Sequence, residues 1–225
     1  MGDPGARLRV LVWNVHGFRA GVRSVAGVIA SQGPDVVLLN EARFRWRLRS
    51  LARRLGMEYA SGLSWPSPVT NAVLARRPWR VVSGRRVLLP RLRTRKRRGL
   101  MIARLRSAAG SLTAVSLHLG LSDSERVAHA RIVTDSLAGE GEPLVLGGDL
   151  NETPERPAAR WIAQRYWDAA ERAGDGAELT FPAAEPRARI DYVFVSEQLK
   201  VRSVRVLPLS SGTSDHLAVV ADLEL

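Results

Sequence analysis

Apolar residues fall along this chain in two rhythms, and the switches between them set out the elements. Residues 8–13 predict a first strand, apolar enough to be buried on both faces, ending at Trp13-Asn14-Val15-His16-Gly17. From about Ala20 to Ser31 the spacing of Val22, Val25, Val28 and Ile29 predicts a helix, closed by Gln32-Gly33-Pro34. Asp35 to Leu39 predicts a second buried strand running into Asn40-Glu41, followed by a basic amphipathic helix from Phe44 to Leu55 that stops at Gly56. Short strands are expected near Glu58–Ser61 and Asn71–Ala75, and Val81–Leu89 and Leu100–Leu105 flank the basic run from Arg91 to Arg98. Ser111–His118 alternates as a strand. Asp123–Leu137 predicts an outer helix carrying Arg126 and His129; no motif surrounds His129, which is expected to pack or to sit at the surface. Leu144–Leu146 predicts a strand and Arg156–Gln164 a short helix; Ile190–Val195, Val201–Leu207 and Leu217–Leu225 close the chain as strands.

No repeat, low-complexity linker or composition shift divides the 225 residues, so one domain over 1–225 is expected, long enough for a large core. No run approaches the roughly 18–20 consecutive apolar residues of a membrane helix. No apolar signal region precedes the first strand, which favours a cytoplasmic protein without stable membrane insertion. The lack of cysteine excludes a disulfide framework and thiolate metal sites without settling the compartment. The net charge of +12 changes the picture more: all but two of the 34 basic residues are arginine, with lysine only at 96 and 200. GC-rich coding accounts for the arginine bias, but the charge itself draws polyanions, nucleic acid before anionic phospholipid.

The stretch Pro143-Leu-Val-Leu-Gly-Gly-Asp-Leu-Asn-Glu-Thr-Pro154 ends an apolar strand at two glycines and then presents Asp149 and Asn151 two residues apart. Alternate residues of an extended chain share a face, so both can point into one pocket. Gly147 and Gly148 leave room beside them for a bulky group such as phosphate. Asn14, Glu41, His118 and the pair Asp215-His216 also stand at strand ends, and Asp191 near a strand start. Taken singly, the asparagines read as turn formers, Asp191 as an arginine partner and His118 as a core histidine. Together they point elsewhere. Buried carboxylates need pairing or a metal, and oxygen donors without cysteine suit hard Mg²⁺ or Mn²⁺. Histidines near neutrality can serve as donors or proton carriers at phosphate.

Six segments in order resemble the metal-dependent endonuclease/exonuclease/phosphatase superfamily, which includes DNase I-like nucleases. They are Trp13-Asn14-Val15-His16-Gly17, Pro34 through Glu41, Ser116-Leu117-His118-Leu119, Gly148-Asp149-Leu150-Asn151, Arg189-Ile190-Asp191-Tyr192-Val193 and Ser214-Asp215-His216. Thr180-Phe181-Pro182 and Asn71-Ala72-Val73-Leu74 look similar too. The resemblance implies an α/β (α+β) fold: a four-layer α/β sandwich, two mixed sheets face to face with helices outside. It further implies that Glu41 is the principal ligand of Mg²⁺ or Mn²⁺, with Asn14 and Asp215 around the ion. Asp149 would orient or deprotonate the attacking water and Asn151 hold water or phosphate. His216, oriented by Asp191, and His118 would contact the scissile phosphate, with Asn71 binding substrate; apart from the resemblance, Arg98, the member of the basic run closest to Gly99-Leu100, is expected to reach the substrate phosphate. Three positions depart from the pattern. Asn40 stands where Gln is frequent, His16 where some relatives place a metal-binding acid, and Leu217 where many have proline.

The resulting expectation is a monomeric, divalent-metal-dependent phosphodiester hydrolase acting on DNA or RNA. The alternatives are a phosphatase or a phospholipid or sugar-phosphate phosphodiesterase of the same superfamily, and an inactive nucleic-acid-binding domain. The basic run Arg91 to Arg98 is a candidate polyanion contact or a solvated loop. Trp46, Trp65 and Trp79 are candidates to stack on bases, with packing the more ordinary use.

Overall fold

A computed structural model of the chain describes residues 6–63, 69–91, 97–141, 143–174, 178–210 and 212–225. Arg93, Arg95 and Lys96 of the basic run, and Trp65, lie outside the described residues. The twelve strands are β1 (Arg7–Asn14), β2 (Val36–Asn40), β3 (Met57–Ser61), β4 (Ala72–Arg76), β5 (Arg80–Leu88), β6 (Gly99–Ser107), β7 (Gly110–His118), β8 (Leu144–Asp149), β9 (Trp167–Asp168), β10 (Asp191–Val195), β11 (Lys200–Leu207) and β12 (Ala218–Glu224). The helices are α1 (Val22–Gln32), α2 (Arg45–Leu55), α3 (Asp123–Leu137), α4 (Pro157–Ala163) and α5 (Ala169–Ala173). None of these helices is long and apolar enough to cross a membrane.

The strands form two mixed six-stranded sheets, ordered β11-β12-β1-β2-β4-β3 and β5-β6-β7-β8-β10-β9. Each contains one parallel pair, β1 with β2 and β7 with β8, and every other pairing is antiparallel. The period of two along β1 explains the layering. Val10 and Val12 join Val36, Leu38, Met101, Ala114, Val145 and Val193 in the core between the sheets. Leu11 and Trp13 face the other way, onto Val25 and Ile29 of α1 and Leu48 and Leu51 of α2. On the far side Val115, Leu117 and Leu146 pack under Ala130 and Val133 of α3 and Ile162 of α4. Strands covered on both faces must be apolar on both faces, and these are. The expected DNase I-like four-layer sandwich is the fold.

The two glycines of β8 do a different job from the one expected. A Cβ on Gly147 would stand 2.5 Å from Val12 Cγ2 and 2.9 Å from the Tyr192 carbonyl oxygen. On Gly148, at φ +150°, it would stand 1.9 Å from the Leu117 carbonyl oxygen. The space is taken by the facing sheet and the neighbouring strand, so the glycines permit close packing rather than phosphate entry.

Arg126 does lie on the outer helix α3, but its side chain is buried, binding Glu152 Oε2 at 2.6 Å and also Asp123. His129 is buried as well: Nδ1 accepts from the Gly120 amide at 3.1 Å and Nε2 donates to the Pro90 carbonyl at 2.8 Å, a packing role. The short β9 and α5 had no periodicity to announce them. Asp168 caps α5 through the Ala170 amide at 3.0 Å and holds Arg189 at 3.1 and 2.7 Å.

Candidate active site

Topology gathers the polar strand ends at one rim. β1 and β2 run parallel, as do β7 and β8, so Asn14 pairs in register with Asn40, and His118 with Asp149. β10 is antiparallel to β8, which sets Asp191, at its start, opposite Asp149. β12 is antiparallel to β1, so the Ser214–His216 segment before it reaches the same rim; Ser214 Oγ donates to the Asn14 carbonyl at 2.6 Å and Trp13 Nε1 to the His216 carbonyl at 2.9 Å. Four residues at this cavity hold positive φ despite carrying side chains: His16 (φ 44°), Glu41 (φ 51°), Phe44 (φ 66°) and Asn151 (φ 54°). Strain of this kind collects where a side chain must be aimed.

A cavity of about 530 Å³ opens at this rim, lined by Asn14, Glu41, His118, Asp149, Asp215 and His216 among others. Asp149 is its centre. Asn14 Nδ2 donates to Oδ2 at 3.0 Å, and the Asn151 amide to Oδ1 at 2.9 Å. The Nε2 atoms of His118 and His216 stand 3.1 and 3.7 Å from Oδ2. Burial works against the charge on Asp149, but the two imidazoles and the Asn151 amide outweigh it and hold the carboxyl well below its usual range.

His216 is pushed up to about 9: burial disfavours its charge, but the Asp191 carboxylate, bonded to Nδ1 at 2.9 Å, and then Asp149 and Asp215 prevail. Burial drives Asp191 upward, so this pair keeps a proton through neutrality, and we place it on the imidazole. The Asp191 backbone amide donates to Thr180 Oγ1 at 3.2 Å, while Oδ1 is buried without a hydrogen-bond partner. The Phe181 ring lies 4.8 Å from the His216 ring.

His118 titrates the opposite way. Burial lowers it and the Arg98 charge adds to that, against the pull of Asp149. Arg98 Nη1 donates to Nδ1 at 2.8 Å, which leaves the neutral ring's proton on Nε2, toward Asp149. Arg98, the expected substrate contact nearest β6, is itself buried on the cavity wall.

Glu41 faces two guanidinium groups, Arg43 at 3.1 Å and Arg98 at 3.9 Å. Asp215 is 42% exposed along its side chain, with His16 Nδ1 3.3 Å from Oδ1. The donors Glu41, Asn14 and Asp215 are all oxygens on one cavity, a set that fits a hard dication. Such an ion would take the place of Arg43, whose side chain is 43% exposed and able to swing away. Asp149, Asp191 and His216 form a second group that could hold a metal, their ligand atoms all within 4.8 Å of one another. Its charge is already offset by the His216 imidazole on Asp191 and Asp149, although Asp191 Oδ1 has no hydrogen-bond partner, and a protonated His216 cannot ligate a metal through Nε2, so the cavity-wall oxygens suit the ion better.

Asn71 is brought near the site without reaching the cavity: it is buried, and its Nδ2 donates to Ser116 Oγ at 3.2 Å. Asn151 lines the cavity while its amide donates to the Leu119 carbonyl at 3.1 Å. Sequence reasoning passed over Asn40. Its Nδ2 donates to the Leu117 carbonyl at 2.7 Å and Ser116 Oγ at 3.1 Å, and its Oδ1 accepts from the Asp149 amide at 2.9 Å, stitching one sheet to the other. Noted only for standing where Gln is frequent, Asn40 closes an apolar run with an amide, which was the available signal; the structure shows that amide fully buried. Arg19, Arg43 and Arg47, which also line the cavity, carried no pattern that would single them out.

Comparison by sequence with curated proteins finds no match. Among solved structures, an endonuclease/exonuclease/phosphatase from Bacteroides vulgatus is similar with a TM-score of 0.84 at 20% identity, over 98% of this chain and 99% of that one. The mannosyl-6-phosphatase Bt3783 of Bacteroides thetaiotaomicron VPI-5482 gives 0.83 at 18% identity, over 97% and 100%. TDP2 of D. rerio, complexed with single-strand DNA product, gives 0.81 at 18% identity, over 98% and 100%. These likenesses establish the fold. The sequence profile of the Endonuclease/Exonuclease/phosphatase family matches residues 11–216, spanning every element of the site from Asn14 to His216. The chain is a member of that family of phosphoester hydrolases.

Proposed function

We propose that this protein is a Mg²⁺- or Mn²⁺-dependent nuclease that hydrolyses phosphodiester bonds by attack of water on phosphorus. The observation that carries the reading is a cavity in which Asp149 and His216, the latter held from behind by Asp191, share a wall with four arginines, 19, 43, 47 and 98. Carboxylates with a charged imidazole suit water-mediated phosphoryl chemistry, and a guanidinium wall suits a polyanion. The net charge of +12 acts in the same sense at longer range.

Glu41, with Asn14 and Asp215, would hold the ion, which when bound offsets charge on the phosphoryl oxygens and acidifies water. The water oxygen bonds to phosphorus while one ester P–O bond breaks, the proton that water loses passing to solvent and the departing oxygen taking one from solvent. Asp149, held as a carboxylate, is assigned the orientation of the attacking water and the compensation of the charge on His216. Protonated His216 turns Nε2–H toward the cavity and stabilises charge developing on a phosphoryl oxygen, with Asp191 fixing its tautomer. His118, bound by Arg98, holds Asp149 from behind, and Asn151 keeps water or phosphate in place.

The test is cleavage of plasmid, single-stranded DNA and RNA with Mg²⁺ or Mn²⁺ against EDTA, beside phosphate release from small phosphomonoesters. Metal-dependent cleavage is expected. Phosphate release alone would favour a phosphatase, the activity named for one structural neighbour. Salt-sensitive binding without cleavage would favour an inactive binding domain.

A further inference from the structure

The first turn of α2 opens on a ring that stands more than half exposed. Phe44, the residue before the helix, has φ 66° and is 55% exposed. A bulky residue meets steric resistance at that angle, and an exposed ring recovers no apolar burial in exchange. Two residues on, Trp46 is 66% exposed, with its ring centroid 6.5 Å from that of Phe44 and the planes 31° apart. The Arg47 guanidinium stands 5.2 Å from the Phe44 centroid and 5.0 Å from that of Trp46. It also donates to the Gly17 carbonyl at 2.9 Å, which ties this group to the turn that carries His16. Phe44 and Arg47 line the same cavity as Asp149 and His216.

Core packing does not account for rings this exposed. Cation–π contact with Arg47 is weak in water and needs only one ring. A ligand that carries both a phosphate for the arginine-lined cavity and a flat π-face for a shelf beside it is a nucleotide whose base is not already stacked. Every base offers such a face, whereas duplex bases are occupied within the stack.

We propose that Phe44 and Trp46 form a stacking platform for unpaired bases next to the scissile phosphate, selecting single-stranded polynucleotide over duplex. This rests on the nuclease reading and narrows it. Arg47 is a positioning residue that sets the rings against the turn.

The experiment compares wild type with Phe44→Ala, Trp46→Ala and the double variant on three substrates: a single-stranded oligonucleotide, its duplex, and an oligomer of base-free sugar-phosphate units. Stacking lost per base gives an expected rise in KM of about 10- to 100-fold for the single strand in the double variant, with kcat changing far less. The base-free oligomer should be cleaved alike by wild type and variant, and Phe44→Tyr with Trp46→Phe should restore the wild-type KM. An unchanged KM in the double variant, an equal loss on the base-free oligomer, or a wild-type preference for duplex would overturn the platform while leaving a nuclease. A wild type that cleaves no oligonucleotide but frees phosphate from sugar phosphates would remove the nuclease reading and the platform with it.

Discussion

Nδ1 of His216 lies 2.9 Å from Asp191 Oδ2, and both side chains are buried. The imidazole is pushed up to about 9, from an ordinary 6.5, although burial alone would lower it. A group whose folded pKa lies above its unfolded value stabilises the fold most fully below the unfolded value, here about 6.5. That contribution is lost as pH rises through about 9. In the metal-free protein, Asp191→Asn removes the largest influence opposing burial and leaves only Asp149 and Asp215 to raise the imidazole. The His216 ring proton signal, followed by NMR, should then titrate at lower pH than in the wild type, and the decline in Tm between pH 7 and 9 should flatten. An unmoved titration would mean that Asp191 is not what charges His216.

Asn40 gives a second expectation. Its amide satisfies the Asp149 N–H and the Leu117 carbonyl across the gap between sheets, in a fully buried position. Asn40→Ala strands both groups, at a cost of about 1–3 kcal/mol for each buried group left unsatisfied. Asn40→Gln restores the chemistry but adds a methylene where the residue is fully buried, costing about 1–3 kcal/mol by overpacking. Urea denaturation should show both losses, with Ala the larger. A neutral Ala variant would contradict the bridging role.

Much of this arrangement was legible because buried strands have to be apolar on both faces. The runs that became β1, β2 and β8 were therefore plain, and polar residues at their ends stood out against them. What the one-dimensional pattern left open was who occupies the space between layers. Gly147 and Gly148 offered the same absence of side chains whether the gap held phosphate or Val12 and the Leu117 carbonyl. Asn71 stood beside a strand much as the site residues do, yet just ahead of β4 its amide is spent on Ser116. Arg43 and Phe44 belong to an irregular turn, just before the helix that carries Arg47, whose positive φ at Glu41 and Phe44 no periodicity encodes.

The contest at Glu41 leads to a third expectation. Arg43 lies 3.1 Å from its carboxylate, where the proposed cation would sit. Glu41→Gln should abolish metal-dependent turnover and remove the heat of Mn²⁺ binding in calorimetry, with Tm unchanged within about 2 °C. Arg43→Ala removes a competing charge and should tighten Mn²⁺ binding about three- to tenfold, since ion pairs near a surface contribute about 1 kcal/mol. If metal binding survives in Glu41→Gln and disappears in Asp191→Asn, the ion belongs to the Asp149–Asp191–His216 group instead.

Gly148 separates packing from ligand binding. A Cβ there would lie 1.9 Å from the Leu117 carbonyl oxygen and 3.0 Å from Asn40 Oδ1, at φ +150°. Backbone cannot yield as a flexible side chain does, so Gly148→Ala must push β8 away from β7 and carry Asp149 off His118. A loss of roughly 3 kcal/mol or more is expected, with activity falling alongside it. Gly139→Ala meets nothing within 4 Å and should leave stability within about 0.5 kcal/mol of wild type, so it controls for the substitution itself. Were Gly148 a cradle for phosphate, its alanine variant would melt like the wild type and lose only substrate affinity. Thermal denaturation beside KM therefore decides whether this glycine serves the sandwich or the substrate.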